Sequence, residues 1–528
     1  MAAIATPFGR PSVVEAVDNH KWWVLGIVVL GSFMSILDST VVNIALPKLI
    51  AVFSTDVHGA QWVLTCYLLA LAVVIPLTGY LQDRFGGKRI YMITLTLFTI
   101  ASALCGFAWS LNAMIFFRVL QGLGGGLIMP LGMSLLLREF RTEERGTALG
   151  IFGIPLMLGP ALGPTLGGYL VQYVDWRFIF FINIPIGIFA VFAASRVLRE
   201  TPRQNAGKLD IWGVALVALG SATLLLGIDN GPSEGWGSIT VIGEIVVGLS
   251  ALVAFVIVEL KTEKPLLELR LFRAYNFSLG VFVTLIVQIG LFGAVFLLPL
   301  FLQNLRGMGA METGMMLIPQ ALTVALIMPI SGRIYDRFGA RVLLVPGMAL
   351  LAFSTYRFHT LSVDTSNLEI IQNLMLRGVG MGLAMMPATT TAMNAVPRHL
   401  IPRATALTNA LQRIAGSFGT AIMATVMTTR QTFQFAVAAQ TVTPTNPGVQ
   451  LVLAHARVMP GLQHLSATAA QHVSLSMLYG KVAGVAAVHA IDDTFFVAAA
   501  FCVPAIFVSF FIKGKKAVRV VGEPVLAE

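Results

Sequence analysis

An aspartate and an arginine lie inside apolar stretches of this 528-residue chain, where ionisable side chains are rare. Asp38 follows Trp22 by 16 residues, about 24 Å along a helix. A carboxyl group at that depth can hold a proton when it is dry and release it when water or a cation arrives. Arg118 opens another apolar stretch, and a guanidinium there needs a carboxylate or several carbonyl groups beside it. The two residues predict a proton carrier whose protonation follows conformation.

Each of these residues also has a plainer interpretation. Asp38 can accept hydrogen bonds from a helix end or from Asn43 without ever exchanging a proton. Arg118 can extend its long side chain to the polar boundary of a membrane, with no partner inside. The sequence leaves both interpretations open.

The composition defines the class of protein that must position these side chains. Hydrophobic residues make up 56% of the chain and charged residues only 11%, whereas soluble domains carry about 25% charged residues. This excludes a cytosolic enzyme and a disordered chain. The net charge of +10 comes from short basic clusters between apolar runs, which is typical of membrane topology rather than of a nucleic-acid surface. We expect an all-α polytopic membrane protein.

Runs of about 20 apolar residues predict fourteen membrane spans. They lie near residues 22–42, 60–81, 90–109, 112–137, 147–172, 177–196, 209–228, 239–260, 275–302, 312–334, 341–358, 367–394, 404–428 and 491–512. The tails and the even-numbered loops hold 25 Lys and Arg residues, whereas the odd-numbered loops hold 7. This bias places both termini in the cytoplasm, with the chain in the plasma membrane. The polar first 20 residues predict no cleaved signal peptide.

One connection is unusually long. Residues 429–490, before the last span, are rich in Gln, Thr and Ala and fall on the outer side of the predicted topology. The stretch TPTNPG interrupts them, and the part after Pro460 has helical composition. They form either an external helical cap or hairpin, or a disordered spacer.

Two cytoplasmic loops share a motif at one spacing. GYLQDRFGGKR follows the second predicted span and GRIYDRFGAR follows the tenth, and five positions match at an offset of 253 residues. Such a repeat indicates two homologous halves. The glycines permit a tight turn, and the Asp and basic residues can make switchable charge contacts. A generic basic loop with a glycine turn is the plainer alternative. The residues predicted to gate conformational change are Gly79, Asp83, Arg84, Gly86, Lys88, Arg89, Gly332, Asp336, Arg337, Gly339 and Arg341.

These loops and three further motifs resemble the major facilitator superfamily, in particular its 14-helix drug:proton antiporter branch, the EmrB/QacA family. LDSTVVNIALP at Leu37–Pro47 resembles the first-helix motif, RVLQGLGGGLIMP at Arg118–Pro130 the fourth-helix motif and GIPLMLGPALGPTLGG at Gly153–Gly168 the antiporter motif. WRFIFFINIPIG also matches the sixth-span stretch of that branch. The long loop before the last span is closer to the EmrB type than to the QacA type.

The resemblance implies a fold and a role for Asp38. In the family, the aspartate that matches Asp38 takes part in proton coupling, with Arg118 as its expected partner. The implied fold has a cytoplasmic tail at 1–21, a six-helix bundle at 22–196, an inserted two-helix hairpin at 209–260, a second six-helix bundle at 275–512 and a cytoplasmic tail at 513–528. For a host with two membranes, it also implies a periplasmic adaptor and an outer-membrane channel.

The fifth span carries small residues and prolines at regular spacing. Small residues four positions apart make a flat face for close helix packing, and prolines kink a helix by removing backbone donors. Such a helix can pivot against its partner in the other half, or can be kinked for packing alone. The residues are Gly159, Pro160, Gly163, Pro164, Gly167 and Gly168.

Polar and aromatic residues within other spans are candidates for a substrate cavity. Hydrogen bonding between helices explains them equally well. They are Gln61, Trp62, Tyr67, Gln288, Gln320, Asn409 and Arg413.

The chain lacks the motifs of ATP hydrolysis, metalloprotease, redox and hydrolase chemistry. Its three cysteines lie in apolar segments and its histidines are scattered, so we expect no metal, no cofactor and no enzymatic activity. Energy must then come from an ion gradient. The sequence predicts a proton-coupled exporter of small amphipathic compounds, working in the lipid bilayer and without nucleic acid. An exporter or flippase of one endogenous lipid or metabolite is the first alternative, and a non-transporting sensor or scaffold is the second.

Overall fold

The chain is folded into long helices. The computed structural model describes residues 19–201, 203, 207–440, 442–443, 449–451 and 467–513. In this part of the chain fourteen long helices follow one another, one at each predicted span. They are α1 (His20–Phe53), α2 (Gly59–Phe85), α3 (Gly87–Gly106), α4 (Leu111–Glu139), α5 (Arg145–Val174), α6 (Phe178–Val197), α7 (Ile211–Glu234), α8 (Ile239–Lys261), α9 (Tyr275–Leu300), α10 (Ala310–Phe338), α11 (Arg341–Thr360), α12 (Asn367–Asn394), α13 (Ile401–Gln440) and α14 (Ala467–Phe511).

Eleven helices within these described ranges are long and apolar enough to cross a membrane. The other three are α9, α12 and α13. The described side chains of α9 before residue 292 form the shorter apolar helix Tyr275–Leu291. Helices α12 and α13 carry more polar side chains along their length. By length and composition the structure thus supports eleven of the fourteen predicted spans.

The helices pack in two groups with a pair between them. Helices α1 to α6 pack on one another, and so do α9 to α14. The two groups meet where α5 packs along α10 and where α13 packs on α2 and α4. Helices α7 and α8 pack on each other, and α7 also packs on both α2 and α13. The inserted pair therefore contacts both groups.

Two glycine turns have the same geometry in the two groups. Gly86 joins α2 to α3 with φ +89°, and Gly339 joins α10 to α11 with φ +84°. An L side chain rarely adopts this backbone conformation, so glycine is required at both turns. The sequence repeat is thus a repeat of backbone structure. We call the end of the molecule that carries these two turns the turn face.

Helices α13 and α14 are longer than predicted. They contain 40 and 45 residues, or about 60 Å and 68 Å, whereas a bilayer with its headgroups is about 40–45 Å thick. Their far ends pack together through the rings of Phe435 and Tyr479, 5.1 Å apart, and through an ion pair of Arg430 and Asp493 at 3.5 Å. Residues 429–440 and 467–490 of the predicted loop are therefore helical and form a hairpin. Residues 441, 444–448 and 452–466 of that loop lie outside the described residues. Residues 1–18 and 514–528 of the predicted tails also lie outside them.

Candidate functional site

A buried polar cluster surrounds Asp38. The residues Asp38 and Arg118 are 1% and 0% exposed, and Arg118 Nη1 donates to Asp38 Oδ2 at 2.7 Å. The other carboxylate oxygen, Oδ1, accepts from Gln121 Nε2 at 2.8 Å and from Asn183 Nδ2 at 2.8 Å. Three side chains from α4 and α6 thus hold the carboxylate of Asp38 in α1, which offsets part of the large desolvation cost of a buried charge.

Arg118 is held on the inside of the α1–α6 group. Its Nη1 also donates to Gln121 Oε1 at 2.7 Å, and its Nε donates to the carbonyl oxygen of Val63 at 3.2 Å. The ring of Tyr67 covers the guanidinium carbon at 3.9 Å. Arg118 therefore does not reach for the membrane boundary. The alternative partner considered for Asp38, Asn43, is exposed and is not among the groups that hydrogen-bond to it.

Sequence reasoning missed two members of this cluster. Gln121 follows Arg118 by three residues, which places both side chains on one helix face. Asn183 lies within WRFIFFINIPIG, and its Nδ2 also contacts Ser102 Oγ at 3.0 Å. Both polar residues stand inside the quoted motifs, so a search for hydrogen-bonding groups around Asp38 could have found them.

The turn face joins the two groups at Asp336. Its Oδ1 accepts from the backbone N–H of Gly146 at 2.9 Å, and its Oδ2 accepts from the N–H and the hydroxyl of Thr147 at 2.9 and 2.8 Å. These donors open α5, where the helix dipole favours a negative charge. Gly146 and Gly332 allow the approach, because a Cβ on Gly146 would lie 2.6 Å from the Gly332 carbonyl oxygen.

The matching aspartate, Asp83, makes a different contact across the same face. Its Oδ2 lies 3.5 Å from Nη2 of Arg403 in α13, and its buried Oδ1 has no hydrogen-bond partner. A Cβ on Gly79 would lie 2.8 Å from Cγ of Arg403, so this glycine too is needed for the approach of two helices. Each repeated loop therefore contacts the opposite group.

The structure does not bring the basic residues of the motifs to these contacts. Arg84, Arg89, Arg337 and Arg341 are all exposed. Arg337 and Arg341 lie over the rings of Phe338 and Phe510. Lys88 donates to the carbonyl oxygen of Ser195 at 2.7 Å, within its own group. The aspartates and glycines thus join the two groups, and the partner cation is Arg403.

Sequence reasoning also missed the groups that bind Asp83 and Asp336, although a second sequence repeat contains them. RGTAL at Arg145–Leu149 and RATAL at Arg403–Leu407 match at an offset of 258 residues, and both stretches begin helices that receive an aspartate of the opposite group. Arg145 donates to the carbonyl oxygen of Leu137 at 2.7 Å and to Asn394 Oδ1 at 3.4 Å.

The glycine face of α5 packs within its own group. A Cβ on Gly159, Gly163 or Gly167 would meet Ile36, Thr40 or Val41 of α1, whereas Gly168 has open space around it. The partner helix in the other group, α10, instead meets α5 at Gly146, Gly150 and Gly153, and its Gly314 faces Pro164 and Thr165. The contact between the two groups therefore uses other residues of α5 than the regular glycine face, which α1 covers. The pivoting of α5 stays a prediction. Pro160 is half-buried.

The predicted cavity residues do not form one constellation. Tyr67 is buried on Arg118, Gln320 is buried with its Nε2 3.4 Å from Met381 Sδ, and Asn409 donates to Thr405 of its own helix at 2.8 Å. Gln61 and Trp62 are exposed. The two remaining residues, Gln288 and Arg413, are half-buried and each has a buried polar atom without a hydrogen-bond partner, Oε1 and Nη2 respectively.

Two helix groups with repeated turns, one of which holds a buried carboxylate–guanidinium pair, are the architecture of a membrane transporter. The sequence model of the Major Facilitator Superfamily matches residues 28–420. The chain belongs to this family and is a multi-pass membrane transporter, not an enzyme.

Individual relatives agree with this assignment. The chain is 34% identical over 489 residues to the uncharacterized MFS-type transporter YhcA of Bacillus subtilis, covering 92% of each chain. It is 35% identical over 433 residues to a multidrug resistance protein B homolog of Mycobacterium tuberculosis, covering 80% of each. A crystal structure of a double Trp mutant of XylE has the same fold, with a TM-score of 0.61 at 14% identity over 94% of this chain and 97% of that one.

Proposed function

We propose that this chain is a proton-coupled antiporter of the EmrB/QacA family that exports amphipathic drugs or toxic compounds by alternating access. The observation that carries the proposal is the fully buried pair of Asp38 and Arg118. An ionisable group at membrane depth has a high free-energy cost, and such groups therefore mark functional sites. The relative named for multidrug resistance supports the substrate class.

All fourteen helices cross the bacterial inner membrane in this proposal. The turn face is cytoplasmic, in keeping with the 25 to 7 bias of Lys and Arg, and both termini lie on that side. The two moving bundles are residues 22–196 and 275–512, with residues 209–260 inserted between them. In a host with two membranes, a periplasmic adaptor and an outer-membrane channel would carry the substrate onward from the far side.

The contacts of the turn face define the conformational state. Asp83 with Arg403, and Asp336 with the start of α5, tie the two bundles together on the cytoplasmic side. In this proposal the transport site faces the outside in this state, because its cytoplasmic side is tied shut. Opening toward the cytoplasm requires both contacts to break, and closure on the outer side replaces them.

The proton acts through Arg118. With Asp38 ionised, the cluster of Asp38 and Arg118 is neutral. When a proton from outside binds Asp38, the Arg118 charge loses its counter-ion in a site of low dielectric constant. The bundles then rearrange until the proton leaves to the cytoplasm, and substrate moves outward in exchange.

Inverted membrane vesicles with an acid interior test this proposal. Cationic, neutral and acidic amphiphiles are added in turn while the pH gradient is followed. We expect a substrate-dependent collapse that Asp38→Asn abolishes and Asp56→Asn preserves. Asp56 is an exposed helix-capping aspartate, and asparagine can cap equally well.

Two outcomes count against the proposal. Wild-type rates in Asp38→Asn under an imposed pH gradient would remove Asp38 from proton coupling. A folded wild-type protein that collapses the gradient with none of the amphiphiles would refute multidrug antiport and favour one endogenous lipid or metabolite as the substrate.

A further inference from the structure

The connections of the inserted pair lie at the turn face. Before α7, Thr201 Oγ1 accepts from the backbone N–H of Gly87, next to the turn at Gly86, at 2.6 Å. After α8, Leu267 packs in the same core cluster as Phe277 of α9. One connection is therefore bonded to the N-terminal bundle, and the other packs on the C-terminal bundle.

Two carboxylates meet where these connections join the pair. Asp210 directly precedes α7, and Glu259 lies in the last turn of α8. Asp210 Oδ2 and Glu259 Oε1 are 2.7 and 3.1 Å from the place that a Cβ on Gly213 would occupy. One methyl group at that place would press on both oxygens. The lack of a side chain at Gly213 thus lets the two carboxylates approach each other.

Each carboxylate has one oxygen with a donor and one without. Asp210 Oδ1 accepts from the N–H of Gly213 at 2.8 Å, and Glu259 Oε1 accepts from the N–H of Leu266 at 3.2 Å. Asp210 Oδ2 and Glu259 Oε2 are buried and have no hydrogen-bond partner. Glu259 as a whole is only 1% exposed. Since a buried polar atom without a partner has a high free-energy cost, a donor is missing from this place.

The charged groups of neighbouring elements do not supply that donor. Arg270 donates to two backbone carbonyl oxygens around the end of α8, and its Nε lies 4.0 Å from Glu268 Oε1. Arg403 of α13 acts on Glu259 through its charge, but its Nη2 lies 3.5 Å from Asp83 Oδ2. In the described part of the chain neither carboxylate of the inserted pair belongs to an ion pair within 4.0 Å. The charged residues nearest to them in sequence are exposed and are Lys208, Lys261, Glu263 and Lys264.

We propose that Asp210 and Glu259 share one proton and form a proton-binding site separate from Asp38. The proton supplies the donor that the two unpartnered oxygens lack, and the carboxylate that remains ionised accepts from it. Two buried carboxylates side by side repel each other strongly when both are ionised. This site does not depend on the export function proposed above.

The shared proton fastens the inserted pair to both bundles. While it is bound, the start of α7 and the end of α8 are held together, and so are the two connections that follow from them. When it leaves, two negative charges face each other and the helix ends separate. Because α7 packs on both α2 and α13, this separation loosens the seam between the bundles. The attachment of the inserted pair is therefore sensitive to the pH at the turn face.

Infrared spectroscopy of the whole protein in nanodiscs detects the shared proton, because a protonated carboxyl group and a carboxylate absorb at different frequencies. At pH 7 we expect a protonated-carboxyl band with a component that Glu259→Gln and Asp210→Asn each remove. The amide nitrogen of either variant donates where the proton did, so both should fold. Glu244→Gln is the matched control, because Glu244 lies at the other end of α8 and accepts from Asn230 Nδ2 at 3.3 Å. It should keep that component.

The pH dependence of stability gives a second readout. In the unfolded chain Asp210 and Glu259 are already ionised at pH 7, so loss of the shared proton weakens the folded state alone as the pH rises. Between pH 7 and pH 9 the unfolding temperature of the wild-type protein should fall by roughly 3 °C more than that of Glu259→Gln. The variant keeps its donor at both pH values.

The outcomes separate this inference from the proposed function. A band that Glu259→Gln leaves intact, an equal loss in Glu244→Gln, or the same pH dependence of unfolding in wild type and Glu259→Gln would overturn it. If Glu259→Gln does not fold, Asp210→Asn carries both measurements, since asparagine caps a helix as well as aspartate does. A vesicle assay without proton exchange, from protein that shows the expected band, would refute proton antiport and leave this site standing.

Discussion

The ring of Tyr67 lies 3.9 Å over the guanidinium of Arg118. Tyr67 belongs to α2, which also packs on α7 and on α13 of the other group. The aromatic side chain that covers the buried Asp38 cluster is therefore carried by a helix at which the two groups meet.

The aromatic ring of Tyr67 should matter more than its hydroxyl. A desolvated cation–π contact contributes about 2 kcal/mol, so Tyr67→Leu should slow proton-coupled exchange in proteoliposomes by roughly 10- to 30-fold. Tyr67→Phe keeps the ring and should stay within about twofold of wild type. Equal losses in the two variants would assign the effect to the hydroxyl instead.

Removing Arg118 should destabilise the protein through Asp38. Breaking a buried ion pair costs about 3–5 kcal/mol because a charge remains without its partner. We expect Arg118→Leu to lower the thermal unfolding temperature in detergent, followed by tryptophan fluorescence. Adding Asp38→Asn removes the stranded carboxylate, and the double variant should recover most of the loss. A double variant less stable than Arg118→Leu would show that the pair is not coupled.

The two motif aspartates should differ in how strongly they close the turn face. Asp336 accepts three hydrogen bonds at 2.8–2.9 Å, and a hydrogen bond to a charged group contributes about 1.5–3 kcal/mol. Asp83 has one ion pair at 3.5 Å and a second oxygen without a partner, and the desolvation of a buried carboxylate offsets most of the attraction of such a pair. Asp336→Asn should therefore raise the population open at this face about tenfold more than Asp83→Asn does.

Distances between spin labels measure that population. Labels at Arg199→Cys and Phe338→Cys, both exposed near the turn face, report the separation of the bundles once the native cysteines are replaced. Equal populations in the two aspartate variants would contradict the ranking.

Gly332 should tolerate no side chain. A Cβ there would press on the Gly146 carbonyl group and lie 2.8 Å from Cα of Thr147, and backbone atoms cannot move aside as a flexible side chain can. Gly332→Ala should reduce exchange at least tenfold in protein that is still monodisperse on gel filtration. Gly26→Ala, in α1 with open space around the new Cβ, is the control and should transport normally.

The features that could be predicted from the sequence are the helices required by the bilayer and the turns marked by the repeated loops. Each apolar run marks a helix, and Gly86 and Gly339 mark turns, because these features depend on neighbouring residues alone. The far parts of α13 and α14 were left open between a helical hairpin and a disordered spacer, since hydropathy detects the apolar middle of a helix and not its polar extension. The structure pairs Asp38 with Arg118, as the sequence predicted, because a charge inside an apolar helix is stable only beside an opposite charge.

The contacts across the bundles were less predictable. Arg403 contacts Asp83 although the two residues are 320 positions apart in the sequence. The motif arginines nearest to Asp83 in sequence are exposed. Leu224 and Ile228 meet Ala421 only through the packing of α7 on α13, a placement that hydropathy does not encode. Spacing identifies which helices exist, but the choice of neighbours depends on the three-dimensional packing.

Helix α13 is continuous, so a small tilt at one end produces a large displacement at the other. This helix carries Arg403 at the turn face and Phe435 in the hairpin at its far end. Over a rod of about 60 Å, a tilt of about 10° displaces the far end by about 10 Å. Each transport cycle should thus move the hairpin by a measurable distance outside the bilayer. A protein that binds the hairpin and prevents this movement should therefore stop transport.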